Sequence, residues 1–191
     1  MNIAGVDEAG RGPLAGPVVC AAVILPVNDG LIGLDDSKKL TARHRDRLYR
    51  QIRSVALAYS IIRIEASTID RINILQATLT GMKSAISALS IMPDMILIDG
   101  NRVPAELPCQ AHAIIGGDAT ERCIMAASVL AKVRRDRIML EMHRDYPDYG
   151  FDKHKGYPTA AHLKALASYG ACPQHRRSYK PVQKAINLHA S

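Results

Sequence analysis

Apolar positions along this chain of 191 residues fall into short runs separated by polar turns. Ile3–Val6 reads as a buried strand, and Val18–Leu25 (VVCAAVIL), set off by Pro17 and Pro26, reads as a second. Thr41 is placed to cap a basic helix running through Gln51, with Leu48 and Ile52 turned inward. Val55–Ile64 is rich in β-branched residues and predicts a third strand. From Asn73 to Leu89, Leu75, Leu79, Met82, Ile86 and Leu89 recur at spacings of three and four, the period of an amphipathic helix that Pro93 stops. Met95–Ile98 and Ala111–Ile115 predict two more strands. A long helix from about Ala119 to Asp145 follows, ended by Tyr146-Pro147. The pattern predicts an α/β fold, a mixed five-stranded sheet flanked by helices, with residues 1–145 as the core and 146–191 as a C-terminal segment of loops and short helices. The two parts form a single domain at this length.

Three of the predicted strands end in acid: Ile3–Val6 in Asp7-Glu8, Met95–Ile98 in Asp99, and Ala111–Ile115 shortly before Asp118. Adjacent carboxylates repel one another unless a cation sits between them. If these strands are parallel neighbours, the four carboxylates gather at their carboxyl ends, where ligands collect in such sheets. Carboxylates without His or Cys favour a hard cation with oxygen ligands, Mg²⁺ or Mn²⁺, and two such ions suit phosphoryl displacement. Successive strand residues face opposite ways. Asp7 and Glu8 can both take part only if the strand ends or bends there, and Gly10 makes a bend feasible. Asp118 could instead cap the long helix.

Composition narrows the partner. The net charge is +7, and its whole excess lies in residues 121–191, which hold 13 Lys/Arg against 6 Asp/Glu; residues 1–120 balance at 12 each. That asymmetry suggests a face for a polyanion. Gly10-Arg11-Gly12 resembles a loop that lets backbone approach a phosphate. Cys20, Cys109, Cys123 and Cys172 lack metal-ligand spacing and read as free thiols of a reducing, cytoplasmic compartment. No apolar run is long enough to span a membrane.

Taken together, the motifs resemble bacterial ribonuclease HII. They are Gly5-Val6-Asp7-Glu8-Ala9-Gly10-Arg11-Gly12-Pro13, Asp36-Ser37-Lys38-Lys39-Leu40, Asn73-Ile74-Leu75-Gln76-Ala77-Thr78, Ile98-Asp99-Gly100-Asn101, Ala126-Ala127-Ser128-Val129-Leu130-Ala131-Lys132, His154-Lys155-Gly156-Tyr157-Pro158-Thr159 and His175-Arg176-Arg177-Ser178. The resemblance implies a ribonuclease H-like fold. It also implies an acidic metal site of Asp7, Glu8, Asp99 and Asp118, binding Mn²⁺ or Mg²⁺ as two ions during catalysis. The implied reaction is hydrolysis on the 5′ side of ribonucleotides in RNA–DNA hybrids, at junctions and within duplex DNA, leaving 3′-hydroxyl and 5′-phosphate ends. It implies that Gly10, Arg11 and Gly12 contact the 2′-hydroxyl region and that Tyr157 stacks on the sugar of the next deoxynucleotide. Ser128 and Lys132, on one face of the long helix, and Lys38 and Lys39 are candidate substrate contacts. Arg135 on that same face is expected to meet solvent, and a monomer is expected. The family's usual Lys-Gly-Asp is replaced here by Gly116-Gly117-Asp118, which predicts weaker substrate affinity or compensation by Lys132 or another base. A carboxylate-metal nuclease acting on DNA and a non-catalytic nucleic-acid-binding module are the rival readings.

Overall fold

The computed structural model describes residues 1–190. Strands β1 (Ile3–Ala9), β2 (Val18–Ile24), β3 (Ala58–Ile64), β4 (Met95–Asp99) and β5 (Ala111–Ile114) form one sheet in the order β3-β2-β1-β4-β5. β1 and β3 are antiparallel to β2, while β4 and β5 run parallel to β1. The expected mixed sheet is observed, and the three acid-bearing strands are neighbours pointing the same way.

The residues of β2 alternate cleanly between two cores, as a pleated strand covered on both faces must. Val19, Ala21 and Val23 pack with helix α1 (Ala42–Val55) and with the long helix α4 (Arg122–Asp145). Cys20, Ala22 and Ile24 pack with helix α2 (Ala66–Ser87) and with Ile96 and Ile98 of β4. Thr41 caps α1 as expected, its hydroxyl accepting from the His44 N–H.

Several element boundaries differ from the sequence reading. β3 begins at Ala58 because α1 runs on to Val55. α2 is interrupted at Asn73, whose φ of 64° lies in the left-handed region. The Asn73 side chain accepts from the Gln76 N–H, so the amphipathic part does start there. The long helix is split. Gly116, at φ 69°, leads into a short turn α3 (Gly117–Thr120), extended backbone at Glu121 breaks the run, and α4 starts at Arg122. Asp118 therefore does not cap the long helix.

The C-terminal segment carries a turn at Pro147–Tyr149 and helices α5 (Phe151–His154), α6 (Ala160–Tyr169) and α7 (Lys180–His189). Tyr149, Phe151, His154, His162 and His175 form one ring cluster, with His154 stacked on His162 at 4.4 Å between centroids. Burial, then the neighbouring His162, pushes His175 down to about 4, and burial also lowers His162. A histidine held neutral in the fold binds its proton more readily when unfolded, so stability rises with pH between the two values. The groups facing His175 are His162, His154, Cys172 and Tyr149, and none brings a carboxylate to offset this. Thermal melts are expected to show roughly 2–3 kcal/mol of stability lost as pH falls from 6.5 to 4. His175→Gln should flatten that slope, and an unchanged slope would sever it from the histidine pair.

Candidate active site

β1 does not end at Val6. It continues through both acids, with Asp7 opposite Ala21 and Glu8 opposite Cys20 of β2. The pleat sends the two side chains to opposite faces. Asp7 lies on the α4 side, where Ser128 hydrogen-bonds its carboxylate, and Glu8 lies on the side of α2. One oxygen each from Asp7, Asp99 and Asp118 falls within 4.8 Å of the others. Glu8 stands outside that trio. Its Oε1 meets the Arg11 guanidinium at 3.4 Å, and its Oε2 is buried without a hydrogen-bond partner. The four acids thus gather as three plus one, because the strand stays regular.

The charge balance is strained. Burial, then the charges of Glu8 and Asp99, holds the Asp7 carboxyl well above its ordinary value. Burial likewise raises Glu8 and Asp99. Asp99 Oδ1 accepts the Asp118 N–H at 3.2 Å, tying α3 to the end of β4. Lys38 Nζ donates to Asp118 Oδ2 at 2.7 Å, and burial keeps Asp118 itself 6 % exposed. Lys38, and not Lys132, is the base that stands beside the acids. Lys132 is held by Asp136 at 2.8 Å.

A cleft of about 440 Å³ opens over these acids, lined by Asp7, Glu8, Gly10, Arg11, Gly12, Ser37, Lys38, Asp99, Ser128, Lys132 and Tyr157. Ser37 and Ser128 share a hydrogen bond of 2.8 Å at its floor. Lys39 does not line the cleft; it is exposed and faces Asp35 at 3.5 Å. A second, smaller cleft of about 280 Å³ shares Glu8, Arg11 and Asp99 and continues past Asn101 and Arg102. The carboxylates stand between two troughs, as suits a chain molecule crossing them.

The family model for ribonuclease HII matches residues 4–182. The chain belongs to the ribonuclease HII family. Ribonuclease HII of Xanthomonas campestris pv. campestris strain 8004 is 57% identical over 187 residues, covering 97% of this chain and 78% of that one. The Xylella fastidiosa M12 relative is 55% identical over 185 residues, 96% of this chain and 79% of its own. Among solved structures, ribonuclease H2 from Pyrococcus horikoshii OT3 superposes with a TM-score of 0.88 at 28% identity, with all of both chains covered. Bst-RNase HIII in complex with Mn²⁺ shares the fold, at a TM-score of 0.76 and 17% identity over 98% of this chain and 70% of that one. As a family member the protein is a metal-dependent endonuclease with ribonuclease H activity on RNA–DNA hybrids. The donor set fits a divalent cation. The trio is all carboxylate, the neighbouring Glu8 Oε2 is buried and unpartnered, and a bound cation would relieve the repulsion that raises Asp7. No helix among the described residues is long and apolar enough to cross a membrane.

One arginine was misread in the sequence, and another was quoted only as part of a motif, with no role. Arg135, expected in solvent, is 1 % exposed and donates to the carbonyls of Ala15, Pro17 and Lys155. Burial, then the adjacent Arg176, pushes it down to about 10, so it stays charged at neutral pH. Gly10, at φ 97°, lies against it so closely that any Cβ there would strike the Arg135 side chain. Arg176 is fully buried and donates to the carbonyls of Gly10, Arg11 and Gly16. A planar fork of donors suits this gathering of carbonyls. Two cations of the basic C-terminal third are thus internal staples for the segment that follows β1, while Arg122, Arg144, Lys153, Lys164, Arg177, Lys180 and Lys184 are exposed.

Proposed function

We propose that this chain cuts the phosphodiester on the 5′ side of a ribonucleotide, in hybrids, at RNA–DNA junctions and at single ribonucleotides in duplex DNA, leaving 3′-hydroxyl and 5′-phosphate ends. The observation that carries this reading is that Asp7, Glu8 and Asp99 line the same cleft as the Gly10-Arg11-Gly12 loop and Tyr157, with an Asp118 oxygen within 4.8 Å of those of the two aspartates. Asp7, Asp99 and Asp118, with Glu8 beside them, would hold two divalent ions, Mn²⁺ or Mg²⁺. When bound, those ions supply the charge that activates water and steadies the leaving oxygen.

The chain's own groups supply the selectivity. Arg176 draws the Gly10 and Arg11 carbonyls toward itself. In a planar trans peptide the N–H points opposite to the carbonyl. The Arg11 and Gly12 N–H groups therefore face away from Arg176 and are available to a 2′-hydroxyl, the group that tells RNA from DNA. The Tyr157 ring, 43 % exposed, stands over Gly12, where a Cβ would sit 3.5 Å from it. An aromatic face there stacks on a nucleotide regardless of base. Lys38, Ser128 and Lys132 line the cleft where a backbone phosphate would lie. We also infer a cytoplasmic monomer; the four cysteines, all free thiols, suit a reducing compartment.

The test is cleavage of a labelled DNA duplex carrying one ribonucleotide, with Mn²⁺ or Mg²⁺, against EDTA and an all-DNA duplex. A metal-dependent cut on the 5′ side of the ribonucleotide is expected, with the all-DNA duplex intact. Cleavage of the all-DNA duplex would favour a DNA nuclease, and cleavage of long hybrids alone would remove the roles given to Arg11 and Tyr157. Affinity for a metal-free substrate complex is expected to fall with salt, at a slope of about −0.9 in log–log form for each phosphate neutralised. A flat salt response would refute an electrostatic grip by the exposed C-terminal cations.

A further inference from the structure

Three hydrogen-bonding steps join the interior of the C-terminal segment to the Tyr157 loop. The Cys172 N–H donates to His175 Nδ1 at 3.1 Å, His175 Nε2 and His162 Nε2 lie 3.0 Å apart, and His162 Nδ1 lies 3.0 Å from the Tyr157 carbonyl. The Cys172 thiol also lies 3.1 Å from His175 Nδ1. Both rings are buried, His162 at 0 % and His175 at 1 % exposure.

The ends of this chain are backbone groups, and they fix its protons. A backbone N–H can only donate, so His175 Nδ1 is bare and its proton sits on Nε2. A carbonyl can only accept, so His162 carries its proton on Nδ1 and its Nε2 is bare. The bond between the two rings then runs from His175 Nε2–H to His162 Nε2. All the roles agree when both rings are neutral, the state that burial favours. A Leu at either position would fill space at lower desolvation cost. The pair's hydrogen bonds end instead on a peptide of the cleft.

That peptide is held on both sides. The Tyr157 N–H donates to the His154 carbonyl at 2.9 Å, and its carbonyl accepts from the Thr159 N–H at 2.8 Å as well as from His162. His154 is stacked on His162, so the ring that accepts the Gly156 N–H is braced by the same pair. Through these bonds the orientation of the Tyr157 backbone, and with it the aim of the ring over Gly12, depends on the buried histidines.

We propose that His162 and His175 are positioning residues for the family's reaction, setting the aim of Tyr157 and so the discrimination between a ribonucleotide–deoxyribonucleotide junction and a uniform hybrid. The inference rests on the reading of Tyr157 as the group that stacks beyond the ribonucleotide.

The readout is the ratio of kcat/KM on a duplex with one ribonucleotide to kcat/KM on a uniform hybrid, for variants whose melts show them folded. His162→Leu is expected to lower that ratio about fivefold to tenfold, the effect of one lost hydrogen bond on a selective contact. His162→Asn places an amide donor where Nδ1 stands and should keep the ratio within about twofold of the parent. In a Tyr157→Ala background, His162→Leu should lower the ratio no further, because its effect passes through the ring. Equal losses on both substrates, no advantage of Asn over Leu, or additive effects in the double variant would each overturn the proposal. A Tyr157→Ala protein with an unchanged ratio would overturn the Tyr157 reading and this inference together, whereas an effect of Tyr157→Ala without one of His162→Leu overturns the inference alone. Should His162→Leu fail to fold, Asn against Gln at 162 carries the same test. Gln sets its amide at the Nε2 end and leaves the Tyr157 carbonyl without that donor, so an equal ratio for the two variants overturns the proposal.

Discussion

Asp99→Asn is expected to abolish cleavage of an RNA–DNA hybrid, by about 10³-fold or more, while the protein stays folded and keeps its affinity for the duplex. The substitution is close to isosteric. Asn Oδ1 can still accept the Asp118 N–H that Asp99 accepts at 3.2 Å, so α3 keeps its tie to β4. What disappears is one of three charges within 4.8 Å. A neutral amide is a poor partner for a hard divalent cation, and the remaining two acids of the trio no longer enclose one. The same change should raise stability slightly in metal-free buffer at neutral pH, because burial, only partly offset by the Asp118 N–H, already holds the Asp99 carboxyl above its ordinary range. Three measurements read this result: single-turnover cleavage, a gel-shift with labelled hybrid, and melting with and without Mn²⁺. Mn²⁺ should raise the melting temperature of the parent by mass action and leave the variant unmoved. Robust cleavage by the variant would detach Asp99 from the chemistry.

The features legible in the sequence were those written in local period. β2 announced itself as VVCAAVIL, and the α2 stripe of Leu75, Leu79 and Met82 announced an amphipathic helix. The acids at three strand ends were visible too, and the parallel run of β1, β4 and β5 brings those ends together. The end of β1 was not legible, since the pairing that carries it on to Ala9 comes from β2, in register with Asp7 and Glu8. The Lys38–Asp118 bond joins residues 80 positions apart and leaves no local trace. Arg135 had a readable signal that charge concealed. It sits three and four residues before Ile138 and Met139 and four after Ala131, all buried, so it lies on an inward face of α4. Arg176 had no such signal, because its acceptors are backbone carbonyls and a sequence does not show where a carbonyl points.

Arg176→Met tests that hidden staple. The change removes a charge that lies fully buried with no carboxylate bound to it, compensated by carbonyl dipoles, the Tyr179 hydroxyl and ring, and the nearby Asp70 charge. Met fills comparable space but donates nothing. The Arg11 carbonyl would keep one partner, since the Tyr179 hydroxyl also donates to it at 2.8 Å. The Gly10 and Gly16 carbonyls would each lose the Arg176 donor, at 2.6 Å and 3.0 Å respectively. Two buried acceptors left unmatched cost about 3 kcal/mol, or roughly 10 °C in melting temperature for a chain of this size. Arg176→Lys should recover little, because one ammonium cannot reach three carbonyls spread around a planar fork. The functional loss should exceed what stability explains. With the Gly10 and Arg11 carbonyls released, the N–H groups of Arg11 and Gly12 lose their fixed aim, and preference for a ribonucleotide over an all-DNA site should fall in the fraction that remains folded. Urea unfolding gives the first quantity, and cleavage of the two duplexes at a temperature well below the variant's melt gives the second. A loss below about 1 kcal/mol would mean that water reaches those carbonyls and that the loop holds its shape without the arginine.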